Sequence, residues 1–129
     1  MKVLEQFCLI YAKVNSSRIK VCIDTQHLYA SGIDVTDREV FAEWLTRFDQ
    51  LIGIENLLCV HANDSKTELG SGHDRHENIG EGKIGREGFT SILAQPLLQG
   101  KPFILETPGF DKKGPDRENL EILTNVSCE

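Results

Sequence analysis

The sequence predicts an α/β fold in which a parallel sheet is covered by helices or closed into a barrel. Short apolar runs alternate with segments of helical periodicity, and these runs are continuous, as is typical of strands buried on both faces. Each run also ends at residues of metal-binding or catalytic type, namely Asp24 with His27, His61 and Glu106. In folds of alternating parallel strands and helices, the carboxyl ends of the strands share one rim, so we expect these residues to meet.

The first predicted elements are a helix and a strand. Apolar residues recur at helical spacing within residues 3–14, which indicates an amphipathic helix. The β-branched run at residues 18–23 then predicts a strand. It stops abruptly at the polar segment 24–27, DTQH.

The second predicted unit repeats this order. Thr36 and Asp37 precede a helical pattern in residues 40–51, as expected at the amino terminus of a helix. The apolar run 57–60 predicts the next strand, which ends at His61. The segment 63–66, NDSK, could then cap a turn or reach a substrate, and turn chemistry is the favoured interpretation.

A glycine-rich loop opens the third unit. We expect a helix near 86–98, a strand at 102–105 that ends at Glu106, and a last helix near 116–126. The glycines of the loop lack the spacing of a dinucleotide-binding fingerprint. We therefore expect them to let the loop fold tightly into the helix that follows.

Composition and charge limit the class of protein. With 129 residues, the chain is one domain at most, or part of one. The formal net charge of −6 gives no general attraction to nucleic acid. Any phosphate binding must then come from local arginines and lysines or from bound cations.

The cysteines and the hydropathy pattern indicate an intracellular protein, cytoplasmic or nuclear. Cys8, Cys22, Cys59 and Cys128 form no CxxC pair, and two of them fall inside apolar runs, so we expect buried, reduced thiols rather than disulfides or a zinc–thiolate site. Glu5 and Gln6 interrupt the apolar stretch near the start, which argues against a signal peptide. No run is long enough to span a membrane, so we expect no membrane partner.

Histidines and carboxylates collect at the predicted rim. Taken one at a time, an aspartate or histidine after a strand is most often a cap or a loop residue. Together they make a mixed nitrogen and oxygen donor set that suits zinc, with manganese or iron as alternatives. The candidate ligands are Asp24, His27, His61, Asp74, His76 and Glu106. We expect His73, in the same loop, to be a solvated residue.

Four segments resemble the endonuclease IV class of apurinic/apyrimidinic endonucleases. They are DTQH at 24–27, HANDSK at 61–66, DRHENIGEGKIG at 74–85 and LETPG at 105–109. The resemblance runs through the whole chain in order, and DRHENIGEG is its most specific part. It implies a TIM (β/α)8 barrel and a zinc-dependent hydrolase of base excision repair. Such an enzyme cleaves the DNA phosphodiester 5′ to an abasic site with three zinc ions.

The resemblance also implies roles for individual residues. Asp24, His61 and Glu106 are similar to the ligands of one zinc and to catalytic residues of the class. His27, Asp74 and His76 are similar to the ligands of another zinc, whereas the two histidines and bridging glutamate of the remaining zinc have no counterpart. Residues 1–129 therefore resemble a partial barrel, three carboxyl-terminal strand–helix units preceded by a helix, and a single incomplete domain. Gln26 stands where the class usually has cysteine, at a position that is not a ligand.

The implied partner is damaged double-stranded DNA with abasic sites. Phosphate oxygens coordinate metal, which allows an acidic chain to hold DNA. Arg75, which lies between two ligand-type residues, and Lys66 are the predicted backbone contacts, with Lys83 and Arg86 as further candidates. Because a short parallel sheet has two open edges, we also expect a missing amino-terminal half of the barrel, or self-association, as a partner.

Two other interpretations remain open at this point. A metal-dependent sugar isomerase of the xylose-isomerase type also places Asp, His and Glu at successive strand ends, although it gives no reason for the DRHEN segment. A non-catalytic metal-binding fragment is the second alternative, because three strand–helix units do not close a barrel.

Overall fold

A three-stranded parallel sheet, in the order β1-β2-β5, is the centre of the fold. The computed structural model describes residues 3–128, apart from the side chain of Val3. Strands β1 to β5 comprise Val21–Asp24, Leu57–His61, Asp64–Ser65, His76–Glu77 and Phe103–Ile104. Helices α1 to α5 comprise Val3–Val14, Thr25–Ala30, Arg38–Leu51, Gly85–Leu93 and Arg117–Ser127. The predicted alternation of parallel strands and helices is confirmed.

Register in the sheet brings the strand ends together. β1 pairs with β2 so that Asp24 lies opposite His61, and Cys22 lies opposite Cys59. β2 pairs with β5, where His61 lies opposite Ile104. The predicted common rim at the carboxyl ends of the strands is therefore present.

Helix α3 supplies a large part of the core. Its amino terminus is capped by Asp37, whose carboxylate accepts from the amides of Glu39 and Val40. Phe41, Leu45 and Phe48 lie on one helical face and are fully buried. Burial of such side chains contributes about 1.5–3 kcal/mol each, which fixes the helix against the sheet.

Several predicted boundaries are wrong by a few residues. β1 begins at Val21 rather than residue 18, and β5 covers only residues 103–104. α4 ends at Leu93 rather than residue 98, and a 3-10 turn, Pro96–Leu98, follows it. The cause is Pro96, which has no amide hydrogen to donate to a continuing helix and is tolerated at the start of the new turn. The short helix α2 directly after β1 was not predicted.

Strands β3 and β4 form a small antiparallel hairpin that the sequence patterns did not reveal. Asp64 pairs with Glu77 and Ser65 with His76. This pairing folds the loop that connects the two strands back on itself, towards the rim of the parallel sheet. His76 consequently reaches the rim although no strand of the parallel sheet carries it.

One face of the sheet lies outside the hydrophobic core. Cys22 is exposed and Cys59 is half-buried. The expectation of buried thiols is therefore wrong for Cys22, and it is also wrong for the exposed Cys128. The side chains of Leu58 and Ile104 are also about half exposed. The core cluster instead contains Ile23 and Val60, which pair across β1 and β2. No helix in the described part of the chain is long and apolar enough to cross a membrane.

Candidate metal centre

Asp24 is the central residue of the rim. It is 7% exposed and terminates β1, where it also caps helix α2. Its Oδ1 accepts from the amides of Gln26 at 2.8 Å and His27 at 3.1 Å. The other oxygen, Oδ2, is left to face the histidines of the neighbouring elements.

Three histidine nitrogens surround Oδ2 of Asp24. Nδ1 of His27 and Nδ1 of His61 each lie 3.9 Å from it, and Nε2 of His76 lies 3.6 Å away. In a tetrahedral zinc site with bonds of about 2.0–2.1 Å, a nitrogen ligand and an oxygen ligand lie roughly 3.3 Å apart. The observed separations exceed this value only slightly.

The first group of ligand-type residues comprises Asp24, His61 and Glu106. Their donor atoms all lie within 4.8 Å of one another. Nδ1 of His61 is in direct contact with Oε1 of Glu106. The Glu106 side chain is 49% exposed, so this group opens to solvent on one side.

The second group is built around the hairpin loop. Oδ1 of Asp74 lies 3.0 Å from Nε2 of His27 and 3.3 Å from Nε2 of His76. Nδ1 of His76 lies 3.1 Å from the carbonyl oxygen of Glu106, which aims Nε2 of the ring at the rim. The geometry thus brings together His27, Asp74 and His76, the three residues that the resemblance assigned to one zinc.

The donor atoms of the two groups suit a cation. Nε2 of His76 is buried and has no hydrogen-bond partner in the described structure. An unpaired buried imidazole nitrogen costs free energy, whereas coordination of a cation would satisfy it. Imidazole nitrogens and carboxylate oxygens are ligands of zinc, with manganese and iron as alternatives.

Asn63 links the ends of two strands, a role that turn chemistry did not predict. Its side-chain nitrogen donates to Oδ2 of Asp24 at 2.9 Å, and its side-chain oxygen accepts from the amide of Glu106 at 2.8 Å. Asn63 is fully buried, and its own amide donates to the hydroxyl of Thr25. One amide group therefore sets the relative position of two ligand-type residues from different strands.

Gln26 anchors the hairpin loop to helix α2. Its buried side-chain nitrogen donates to the hydroxyl of Ser65 at 3.2 Å and to the carbonyl of His73 at 2.9 Å. The side chain of His73 is exposed. Its carbonyl instead serves as the attachment point of the segment that carries Asp74.

The glycine-rich loop wraps around the carboxylate of Asp64. This buried carboxylate accepts from the amides of Ser65, Gly80, Gly82, Ile84 and Gly85. Burial raises the pKa of Asp64, and several of these backbone donors act in the opposite direction. A Cβ atom at Gly82 would lie 2.5 Å from Oδ1 of Asp64, so the close wrap requires glycine there. The predicted tight fold of the loop into the next helix is confirmed.

The predicted DNA contacts lie beside the rim. Lys66 and Arg75 are exposed and face each other across the hairpin, where the amide of Lys66 donates to the carbonyl of Arg75 at 3.1 Å. Lys83 is paired with Glu68 at 3.0 Å. Arg86 is exposed and its side chain packs over Gly80.

A pocket of about 480 Å³ adjoins the rim. Phe7 and Leu28 give it an apolar wall, and its polar residues include Asp24, His61 and Glu106. Cys22 also lines it. Desolvation and the adjacent Cys59 thiol raise the pKa of Cys22 to about 12.

Comparison with known proteins gives consistent matches over nearly the whole chain. Residues 4–126 match the family model described as Xylose isomerase-like TIM barrel. The probable endonuclease 4 of Halothermothrix orenii is 46% identical over 107 residues, which are 83% of this chain and 38% of that protein. The probable endonuclease 4 of Thermosipho africanus is 46% identical over 123 residues, which are 93% of this chain and 44% of that protein.

A solved structure shares the arrangement of the elements. Endonuclease IV from Thermus thermophilus superposes with a TM-score of 0.77 at 35% sequence identity, covering 95% of this chain and 43% of that one. The chain thus spans about two fifths of the length of the relatives that it matches.

Proposed function

The chain belongs to the xylose isomerase-like TIM barrel family, and we propose that it carries the metal-binding rim of an endonuclease IV-type DNA repair enzyme. Its three parallel strands and their helices form part of such a barrel, so the predicted fold class is confirmed. The resemblance to the endonuclease IV class is likewise confirmed by curated relatives at 46% identity.

The proposed reaction is zinc-dependent hydrolysis of the phosphodiester 5′ to an apurinic or apyrimidinic site in double-stranded DNA. The observation that carries it is the position of Asp24, whose donor atoms group with those of His61 and Glu106 and also with those of His27 and His76. The buried Nε2 of His76 has no hydrogen-bond partner in the described structure. The relatives named endonuclease 4 and endonuclease IV support the same reaction class. With DNA as the proposed substrate, we also propose an intracellular location, in cytoplasm or nucleus.

We assign Asp24, His61 and Glu106 to one cation and His27, Asp74 and His76 to a second, with zinc as the first choice. Bound cations would supply an activated water and stabilise negative charge on the reacting phosphate. The protein must hold their ligands at fixed separations. Asn63 does this for Asp24 and Glu106, because one buried amide bonds to both.

His76 and Glu106 are coupled in the same way. The carbonyl of Glu106 lies 3.1 Å from Nδ1 of His76 and orients the ring, so that Nε2 is presented to the rim. The carboxylate of Glu106 contacts His61 and remains half exposed to solvent, where a substrate arrives. Glu106, Asp24 and His61 are therefore the residues to which we assign catalysis.

Arg75 and Lys66 are the proposed contacts to the DNA backbone. They are exposed on the hairpin that carries the second ligand group. Lys83 and Arg86 are less available, since the first pairs with Glu68 and the second packs over Gly80. Because the chain carries a net charge of −6, local cations of this kind must direct the phosphates.

The sugar isomerase alternative explains fewer of the observations. Asp24, His61 and Glu106 at successive strand ends are equally compatible with a xylose-isomerase-type site. That interpretation gives no role to the hairpin, whose loop brings Asp74 within 3.3 Å of His76. The other alternative, a non-catalytic metal-binding fragment, differs from our proposal only in whether the chain is active. It arises because the ligands of the class's remaining zinc have no counterpart in this chain.

We propose that the chain alone cleaves abasic DNA very slowly and that the remaining barrel units restore activity. Each 1.36 kcal/mol of lost transition-state stabilisation lowers the rate about tenfold, and a missing cation can remove several kcal/mol. Those units would come from a second polypeptide or from self-association. They would also complete the DNA-binding surface.

A labelled abasic duplex tests this proposal. We expect 5′-side incision by the chain mixed with a polypeptide that corresponds to the amino-terminal part of a relative, and loss of incision with a chelator. Glu106→Ala should abolish the restored activity, whereas Glu81→Ala, an exposed carboxylate of the glycine loop, should not. Isomerisation of a keto sugar without incision would contradict the proposal. Chelator-sensitive incision by the chain alone would show that the remaining units are dispensable.

A further inference from the structure

A second kind of donor group lies below the rim, on the open face of the sheet. Cys22 and Cys59 are direct neighbours across the parallel strands β1 and β2. Their sulfurs and a ring nitrogen of His61 all lie within 4.8 Å of one another. Two thiols and an imidazole at this spacing need only small side-chain rotations to share one ion.

The thiol pair is accessible and unused by the core. Both cysteines are free, Cys22 is exposed and Cys59 is half-buried. Neither belongs to the hydrophobic core cluster or packs against it. Cys22 lines the pocket that also contains Asp24, His61 and Glu106, so an ion from solvent reaches the thiols through the same opening.

We propose that Cys22, Cys59 and His61 form a binding site for a thiophilic divalent cation such as zinc or cadmium. Thiolate sulfur prefers softer metals than carboxylate oxygen does, and two thiolates with one imidazole leave a fourth position of a tetrahedral ion open. On binding, two metal–sulfur bonds form and each thiol releases its proton to the solvent. The site differs in donor chemistry from the two carboxylate-containing groups on the rim.

The thiolate site shares His61 with one rim site, so the two sites compete for this ligand. The same imidazole contacts Glu106 and lies 3.9 Å from Asp24. A cation that takes His61 together with the thiolates withdraws this ligand from Asp24 and Glu106. Excess thiophilic metal should consequently weaken retention of a cation by Asp24, His61 and Glu106, while the group of His27, Asp74 and His76 is spared.

Cadmium titration of the reduced, metal-free chain tests the site. We expect an ultraviolet thiolate-to-cadmium charge-transfer band that saturates at one cation per chain. Cys22→Ser and Cys59→Ser should each abolish it. Cys8→Ser and Cys128→Ser are matched controls that should retain it. Circular dichroism verifies the fold of each variant.

A band that is absent from the folded, reduced chain would overturn the proposal. So would a band that survives in both Cys22→Ser and Cys59→Ser. If either serine variant fails to fold, alkylation of the unmodified chain supplies the answer. Cadmium should then protect Cys22 and Cys59, but neither Cys8 nor Cys128, from a thiol reagent, and equal labelling of all four with and without cadmium would contradict the site.

Discussion

Asp24 divides its two carboxylate oxygens between the backbone and the rim. Oδ1 holds the amino terminus of α2 through the amides of Gln26 and His27. Oδ2 accepts from Asn63 and faces the histidine nitrogens of the two donor groups. The backbone bonds fix the carboxylate in one rotamer, so it is oriented for a cation before any cation arrives.

Asn63→Ala should weaken both the fold and the metal centre. The substitution leaves Oδ2 of Asp24 and the amide of Glu106 without their shared partner. We expect a loss of about 1–3 kcal/mol in the free energy of unfolding. Zinc affinity should fall about 10- to 100-fold, as is typical when a residue that positions ligands is removed. Chemical denaturation and a competitive zinc chelator measure the two effects.

Asn125→Ala provides the matched control, because Asn125 is exposed on α5 and far in sequence from the rim residues. It should change neither quantity measurably. Unchanged zinc affinity in a folded Asn63→Ala variant would show that Asn63 does not position the ligands.

The convergence of the candidate ligands was predictable from the sequence, whereas the residues that position them were not. Asp24, His61 and Glu106 follow apolar runs, and parallel topology then places them together. The bond from Asn63 to Asp24 spans 39 residues, and that from Glu106 to Asn63 spans 43. No local pattern encodes such pairs, and an asparagine after a strand is equally typical of a turn.

The glycine-rich loop shows how one buried side chain organises an entire element. Asp64 accepts from five backbone amides, four of which belong to the segment 80–85. These amides are therefore not available to cradle a phosphate. The loop instead forms a rigid support between the β3–β4 hairpin and helix α4.

Asp64→Ala should destabilise this element severely. Several buried amides would lose their acceptor, and each unsatisfied buried group costs about 1–3 kcal/mol. We expect the free energy of unfolding to fall by at least about 3 kcal/mol in denaturant titration. Asp64→Asn is the informative control, because it keeps one acceptor oxygen and should cost less. Equal stability of Asp64→Ala and the unchanged chain would refute the supporting role.

Helix α5 carries a pH-dependent cap. Asp116 accepts from the amides of Asn119 and Phe110, and these bonds hold its pKa below the ordinary value of 3.8. Because the folded state favours the charged carboxylate, its contribution to stability is complete above that value. The contribution is lost as the pH falls through the lowered pKa.

Asp116→Asn should therefore lower the Tm near neutral pH and leave a smaller difference from the unchanged chain in strong acid. Thermal unfolding followed by circular dichroism between pH 7 and pH 2 measures the difference. Glu118→Gln, in the first turn of the same helix, should show no comparable trend. A Tm difference that grows towards acid would contradict the sign of the argument.

The small size of the parallel sheet should determine how the whole molecule associates. Within the described residues, β1 and β5 each pair with β2 alone, so each presents an open edge. Apolar residues on the sheet, Leu58 and Ile104, are also about half exposed. Open strand edges and exposed apolar side chains both favour association with further strands.

We expect the isolated chain to self-associate, or to be only marginally stable until the remaining barrel units are added. Analytical ultracentrifugation over a range of concentrations should show concentration-dependent oligomers. Addition of the complementary units should replace them with a defined complex. A monodisperse monomer with a high Tm would contradict this expectation.

The order of helices and parallel strands along the chain was predictable from the sequence. The segments that connect them were predicted only in part. Periodicity identified the main helices and the parallel strands, because each buries a repeating apolar pattern. The β3–β4 hairpin was missed, since its strands comprise two residues each and are stabilised by the long-range bonds of Asp64 and Gln26. Helix α4 also ended earlier than predicted because of Pro96, and strands β1 and β5 are shorter than predicted.

The number of zinc ions bound per chain tests the central claim, that two donor groups converge on Asp24. Elemental analysis after dialysis, with Cys22 and Cys59 both changed to serine so that the proposed thiolate site is removed, should give up to about two zinc ions per chain. His76→Ala in the same background should remove one zinc and leave the group of Asp24, His61 and Glu106 occupied. A metal-free chain that still unfolds cooperatively would contradict the account.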